Sequence, residues 1–177
     1  MATMATPICA FGWKAKEFTL KDGWGNSFRL HDLRGPSGTL VMFICNHCPY
    51  VQAIAPRIAR DALELQKRGI GVVAVMPNDY RRYPEDSPEH MRAFATEQGF
   101  SFPYLVDETQ AVARAYGAVC TPDFFGFNRE MELYYRGRLD ASRMAPVADA
   151  RRELFEAMMQ IAETGHGPAE QTASMGC

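Results

Sequence analysis

Hydrophobic and polar positions change period several times along the chain, and each change marks an element. The stretch Phe18–Leu33, FTLKDGWGNSFRLHDL, alternates on both sides of the turn formers Asp22, Gly23, Gly25 and Asn26, which predicts a β-hairpin. After Gly35, Pro36 and Gly38 comes Thr39–Ile44, TLVMFI, a short unbroken apolar run suited to a strand buried on both faces. From Pro49 the period turns helical, with Val51, Ile54, Ala55, Ile58, Ala62 and Leu65 on one side and Gly69 closing the element. Ile70–Met76, IGVVAVM, reads as a second buried strand.

The polar stretch Asn78–Pro88 carries two prolines and reads as a surface loop. Ser87-Pro88-Glu89 then starts a helix through Met91, Phe94 and Ala95 to Gly99, with Pro88 suited to the first helical position. Phe102–Val106 is a short strand, and Thr109–Tyr116 is a short helix ended by Gly117. Pro122–Phe127 and Glu132–Tyr135 are strands around a turn at Asn128-Arg129. Pro146–Thr164 reads as an amphipathic helix with Ala150, Leu154, Met158 and Ile161 on one face, and the tail 165–177 as irregular. Helical crossovers demand parallel neighbours and short turns antiparallel ones. The order therefore predicts one α/β domain over 1–177: a mixed central sheet, helices on both faces and an N-terminal β-hairpin.

Composition narrows the function classes. The 177 residues suffice for one core, and 47% hydrophobic with 23% charged residues is ordinary for a globular chain. A net charge of -2 gives no electrostatic reason to expect nucleic acid or an anionic membrane as partner. No apolar stretch approaches the ~20 residues of a membrane span. The opening residues lack the basic segment and sustained apolar run of a secretory signal, so a cytoplasmic location is expected. Cys9, Cys45, Cys48, Cys120 and Cys177 are too few and too scattered for a disulfide scaffold. In a reducing compartment the close pair Cys45/Cys48 points to redox catalysis or to metal binding.

The pair lies in FICNHCPYVQAIAP, residues 43–56. A free cysteine has a pKa of about 8.5, and a helix N-terminus lowers it to about 3.5–7.5. Cys48 stands directly before Pro49, the expected helix start, and is the better nucleophile; Cys45, a turn earlier at a strand's end, gains less. His47, when protonated, would raise the thiolate fraction of Cys48. A structural zinc needs four ligands, for which Cys45, His47, Cys48 and Cys120 are the available set. One close cysteine pair without a second favours redox chemistry, so no metal and no cofactor are expected. Asn46 and Tyr50 read as pocket rims. Phe124, Phe125, Phe127, Tyr134 and Tyr135 read as core, and Arg57, Arg60, Asp61, Glu64 and Lys67 as a solvated helix face.

The order strand, loop, cysteine, helix, with the late Thr121-Pro122, resembles the thioredoxin-like superfamily from Phe18 to the final helix. Thioredoxins carry Cys-x-x-Cys followed by Ile-Ala-Pro, and Ile54-Ala55-Pro56 keeps that tripeptide at the spacing that makes Cys48 the first, nucleophilic cysteine. Val51 then stands in place of the second cysteine. Thr121-Pro122 resembles the loop that carries the superfamily's cis-proline beside the catalytic sulfur. DETQAVARAYGAVCTPDFF and NHCPYV are closest to the redoxin branch, the AhpC/TSA-related, peroxiredoxin-like proteins. Ser174-Met175-Gly176-Cys177 is similar to a C-terminal stretch of this branch that normally runs a few residues further.

The resemblance implies a thiol–disulfide oxidoreductase with Cys48 as nucleophile and Cys45 or Cys120 as resolving thiol. Its substrate would be an oxidised thiol or disulfide, and its reductant a thiol such as thioredoxin or glutathione. Cys9 and Cys177 lie near the ends and are expected to be incidental, although a mobile tail could bring Cys177 to the site. Two other readings stay open. One is peroxide reduction through a Cys48 sulfenic acid. Peroxiredoxins, however, place a proline seven and a threonine three residues before the reactive cysteine, where Val41 and Cys45 stand before Cys48. The other is a non-catalytic, redox-sensitive binding module, suggested by Val51.

Overall fold

Along residues 2–177, which the computed structural model describes, the chain begins with β1 (Met4–Ala5), β2 (Thr19–Asp22), β3 (Ser27–Arg29), α1 (Leu30–Leu33) and β4 (Gly38–Phe43). It continues through α2 (Pro49–Gln52), α3 (Ala55–Gln66), β5 (Ile70–Met76), a 3-10 turn at Pro84–Asp86, α4 (Pro88–Gln98), β6 (Tyr104–Val106) and α5 (Ala111–Tyr116). It closes with β7 (Asp123–Phe127), β8 (Leu133–Tyr135), α6 (Glu153–Thr164) and β9 (Met175–Gly176). The main sheet has the order β3-β2-β6-β5-β4-β7-β8. β4, β5 and β6 run parallel, and the hairpin β2–β3 and the strands β7 and β8 add antiparallel edges.

Alternation along β4 divides the core between the two faces. Leu40 and Met42 point to one side, with Ile58 and Leu65 of α3, Met91 of α4 and Met158 of α6. Val41 and Phe43 point to the other, with Phe18, Leu30, Ala113 and Tyr116. Fully burying a Leu, Ile, Val, Met or Phe side chain in this way stabilises the fold by about 1.5–3 kcal/mol relative to leaving it exposed. Among the described residues no helix is long and apolar enough to cross a membrane.

Several elements differ from the sequence reading, each for a local reason. The hairpin stops at Arg29, and Leu30–Leu33 coils into α1, which buries Leu30. The helix after Pro49 breaks at Ile54 (φ -117°, ψ 0°), because Pro56 brings no N–H to continue the ladder. α6 starts at Glu153 rather than Pro146: nothing between 146 and 153 is buried, so an apolar stripe there has nothing to pack on. The tail is not irregular throughout, since Met175–Gly176 pairs antiparallel with β1 as a two-stranded sheet.

The charged face of α3 is only partly solvated. Asp61 is buried and takes Arg152 Nε and Nη2 on one oxygen at 3.1 and 2.7 Å, with Arg60 Nε at 2.8 Å. Arg57 reaches the buried Asp140 at 2.7 Å. These pairs fasten α3, which follows the reactive loop, to α6 and to the segment after β8.

Candidate active site

β4 delivers the loop Ile44–His47 to one end of the sheet, and β7, its antiparallel neighbour, delivers Thr121-Pro122 to the same end through the pairing of Phe43 with Asp123. The Thr121–Pro122 peptide bond is cis. Cys48 is the N-cap residue of α2, with Pro49 in the first helical turn. Its Sγ lies 3.3 Å from the Thr121 carbonyl oxygen, and the Cys45 Sγ lies 3.4 Å from the Thr121 hydroxyl. Both cysteines are buried, so Thr121 and the two sulfurs form one enclosed cluster.

The two thiols are polarised against each other. Cys48 is drawn down to about 5, first by the hydrogen bond from the Cys45 thiol and against the opposing effect of burial. The Cys177 thiol, the Thr121 hydroxyl and the Val51 N–H lower it further. Cys45 is pushed far above the ordinary range by giving its hydrogen to Cys48, by burial and by the Asp86 carboxylate. One sulfur therefore gives up its proton and its neighbour keeps one.

The other expected residues lie farther from the chemistry. Cys120 Sγ has its contact at 3.8 Å with the Pro122 carbonyl rather than with Cys48, and burial with the nearby Asp123 charge holds it up at about 12. The His47 Nδ1 lies 2.6 Å from the Asp86 carboxylate, and its ring stacks on Tyr83. Its direct partner is thus Asp86, not the Cys48 sulfur. Tyr50 lines a small cavity with Ile54, Pro122 and Phe124, as a rim residue should. Asn46 is no rim: it is buried, with its side-chain oxygen accepting from the Tyr104 hydroxyl at 2.8 Å.

One participant escapes a reading of the sequence, and a second is expected at the site only by way of a mobile tail. Asp86 sits in the stretch expected to be a surface loop yet is fully buried, accepting from the Asn46 N–H at 2.8 Å and Asn78 Nδ2 at 2.9 Å. Nothing in RRYPEDSPE distinguishes it from a solvated acid. Cys177 lies with its Sγ 2.9 Å from the Cys48 Sγ, although 129 positions separate them. The phrase QTASMGC gives no local signal of that approach.

Donor atoms of Cys45, His47 and Asp86 lie within 4.8 Å of one another, so these three could share a metal ion. That set lacks Cys48 and Cys120 of the expected four and brings in Asp86. It is one short of the four ligands of a structural zinc, and the Asp86 oxygens are already engaged by His47, Asn46 and Asn78.

Comparison with known proteins agrees with this architecture. The family model described as "AhpC/TSA family" matches residues 11–136. The chain is 29% identical over 162 residues to the Mycobacterium tuberculosis protein named "Putative peroxiredoxin Rv2521", covering 88% of each. It is 29% identical over 122 residues to "Thiol-disulfide oxidoreductase ResA" of Halalkalibacterium halodurans, covering 69% of this chain and 65% of that one. A solved conserved protein of Geobacillus kaustophilus superposes with a TM-score of 0.94 at 40% identity, covering 100% of this chain and 95% of the other. Solved thioredoxin-type domains below 25% identity share the arrangement too, and the fold is thioredoxin-like.

Proposed function

The chain belongs to the AhpC/TSA family, and on that premise we propose that it is a thiol–disulfide oxidoreductase whose nucleophile is Cys48. One observation carries the reading: Cys48 caps the start of α2 and lies enclosed with Cys45 against the cis Thr121-Pro122 peptide, its Sγ 3.3 Å from the Thr121 carbonyl oxygen. At neutral pH the Cys48 thiolate attacks one sulfur of a disulfide R–S–S–R′, forming Cys48–S–S–R and expelling R′–S⁻. The Cys45 thiol supports the sulfur while it carries charge, and the Thr121 hydroxyl, 3.4 Å from the Cys45 Sγ, holds that thiol in place. An external thiol such as thioredoxin or glutathione, as a reducing cytoplasm supplies, returns the electrons. The test is steady-state reduction of a protein disulfide or of oxidised glutathione with such a reductant. Turnover should vanish in Cys48→Ser; undiminished turnover in that variant would refute the assignment.

Peroxide reduction through a Cys48 sulfenic acid is the second reading, supported by the name of the mycobacterial relative. It ranks lower because Val41 and Cys45, both buried, stand where a peroxidase pocket would offer its proline and threonine.

A further inference from the structure

A Cys48 mixed disulfide needs a second sulfur to release its cargo, and the fold brings one to the site from the far end of the chain. Cys177 Sγ lies 2.9 Å from Cys48 Sγ. The backbone of Cys177 pairs with Thr121 in both directions, accepting its N–H at 3.0 Å and donating to its carbonyl at 3.2 Å. The preceding residue has to be glycine, because a Cβ on Gly176 would run into the Thr121 carbonyl oxygen. A second set of bonds holds the segment from its other side. Met4 and Ala5 pair with Gly176 and Met175, and Thr6 N–H donates to the Ser174 carbonyl at 2.9 Å. Ser174 in turn gives its N–H to the Thr6 hydroxyl at 3.1 Å and its own hydroxyl to the Pro122 carbonyl at 2.7 Å. Thr6 and Ser174 are both buried. An incidental tail would not be hydrogen-bonded on both edges and aimed sulfur to sulfur.

We propose that Cys177 is the resolving thiol of Cys48, carried on a strap, Ser174–Cys177, that Thr121 and β1 hold in register. The proposal rests on Cys48 being the nucleophile. Cys48 is fully buried beneath the strap, so the strap lifts to admit a disulfide, and its pairing with β1 tethers it for return. Once Cys48–S–S–R has formed, Cys177 loses its proton and attacks the Cys48 sulfur. The Cys48–Cys177 bond forms, and R–S⁻ leaves and takes up the proton. Two protein thiols have then given two electrons to the substrate, and an external dithiol restores them. Timing follows from the charges. Cys177 is held up at about 12 by burial and then by its hydrogen bond to Cys48 and the charge there, and the last two influences disappear when Cys48 enters a mixed disulfide. Cys45 is less suited, because the Asp86 carboxylate opposes its ionisation at every stage. Cys120 makes no sulfur contact with Cys48, its hydrogen bond being to the Pro122 carbonyl.

Two measurements test this on the full chain. After oxidation by diamide, non-reducing peptide mapping should find Cys48 joined to Cys177 in wild type and in Cys120→Ser. Cys48 joined to Cys45 or Cys120, or left unpaired, would overturn the proposal. In the second, one equivalent of an aromatic disulfide is added and the aryl adduct on Cys48 is followed by mass spectrometry. Wild type should shed the adduct, and Cys177→Ser should retain it, with release on the order of 100-fold slower. Release from Cys177→Ser at the wild-type rate would overturn it equally. Should no adduct or thiol release arise at Cys48 in either protein, the nucleophile assignment fails, and the diamide map still decides the pairing by itself.

Discussion

Cys45 and Cys48, three positions apart, both stand on Thr121, the Cys45 Sγ 3.4 Å from its hydroxyl and the Cys48 Sγ 3.3 Å from its carbonyl oxygen, and they titrate in opposite directions, each chiefly through the other. The neighbouring thiol is the largest influence on each, ahead of burial. A helix start explains only part of the effect, since the Val51 N–H is the last of the influences lowering Cys48.

Removing the Cys45 thiol should therefore weaken the nucleophile. Alkylation proceeds through the thiolate, so its rate in wild type should rise through about pH 5 and level off by pH 7. In Cys45→Ala the midpoint should climb by about 1–2 pH units, because a hydrogen bond to a charged group contributes about 1.5–3 kcal/mol. The pH profile of iodoacetamide labelling at Cys48 reads this directly. An unmoved midpoint would assign the low value to some other group.

Alkaline pH should loosen the fold. Burial holds Cys9 up at about 11 and Cys120 and Cys177 at about 12, and it raises Cys45, Tyr104, Tyr116 and Tyr135 as well. A raised thiol or phenol contributes stability that is complete below its unfolded pKa and is lost as pH climbs toward the folded one. Cys48 has the opposite sign: its contribution is complete above the ordinary value of 9.0 and is lost as pH falls toward about 5. The raised groups outnumber it, so the urea midpoint should drop between pH 8.5 and 11. A midpoint that holds or rises over that range would contradict the sign.

Breaking the clamp between α3 and α6 should cost stability without touching the sulfur chemistry. Arg152 bonds the buried Asp61 through two nitrogens, reaches Glu64 at 2.9 Å and lies over the Phe155 ring at 3.9 Å. Arg152→Ala leaves Asp61 with Arg60 alone, so the loss should exceed about 1 kcal/mol and fall short of the ~3–5 kcal/mol of a buried charge stripped of every partner. Denaturant unfolding measures the loss, and a change under about 1 kcal/mol would mean that the pair behaves as a surface bridge.

Much of this was legible in the sequence because it is written in local periodicity. Ile70–Met76 forms a strand over the stretch its apolar run predicts, and α4 has Ser87 as its N-cap, accepting from the His90 N–H, and Gly99 as its left-handed C-cap. Cys48 before Pro49 likewise announces a thiol at a helix start. What stayed hidden depends on tertiary approach. The seven residues from Pro146 have helical spacing but no partner surface. Asp61 carries a charge like its neighbours, and only Arg152, 91 positions away, turns it inward. Asp86 belongs to the same class, and Cys177, which the sequence brings to the site only on a mobile tail, is held there by pairing with Thr121 that no local pattern announces.

Whether Cys48 is built for sulfur or for peroxide is read by stopped-flow oxidation of the fully reduced protein, with Cys48→Ser as the blank. Sulfur in a disulfide leaves readily once the leaving thiol has a low pKa, whereas peroxide cleavage depends on groups that orient and polarise the O–O bond. At equal concentrations a small aromatic disulfide should oxidise Cys48 at least about tenfold faster than hydrogen peroxide does. Peroxide oxidising Cys48 faster than the disulfide would overturn the thiol–disulfide oxidoreductase assignment and make the chain a thiol peroxidase.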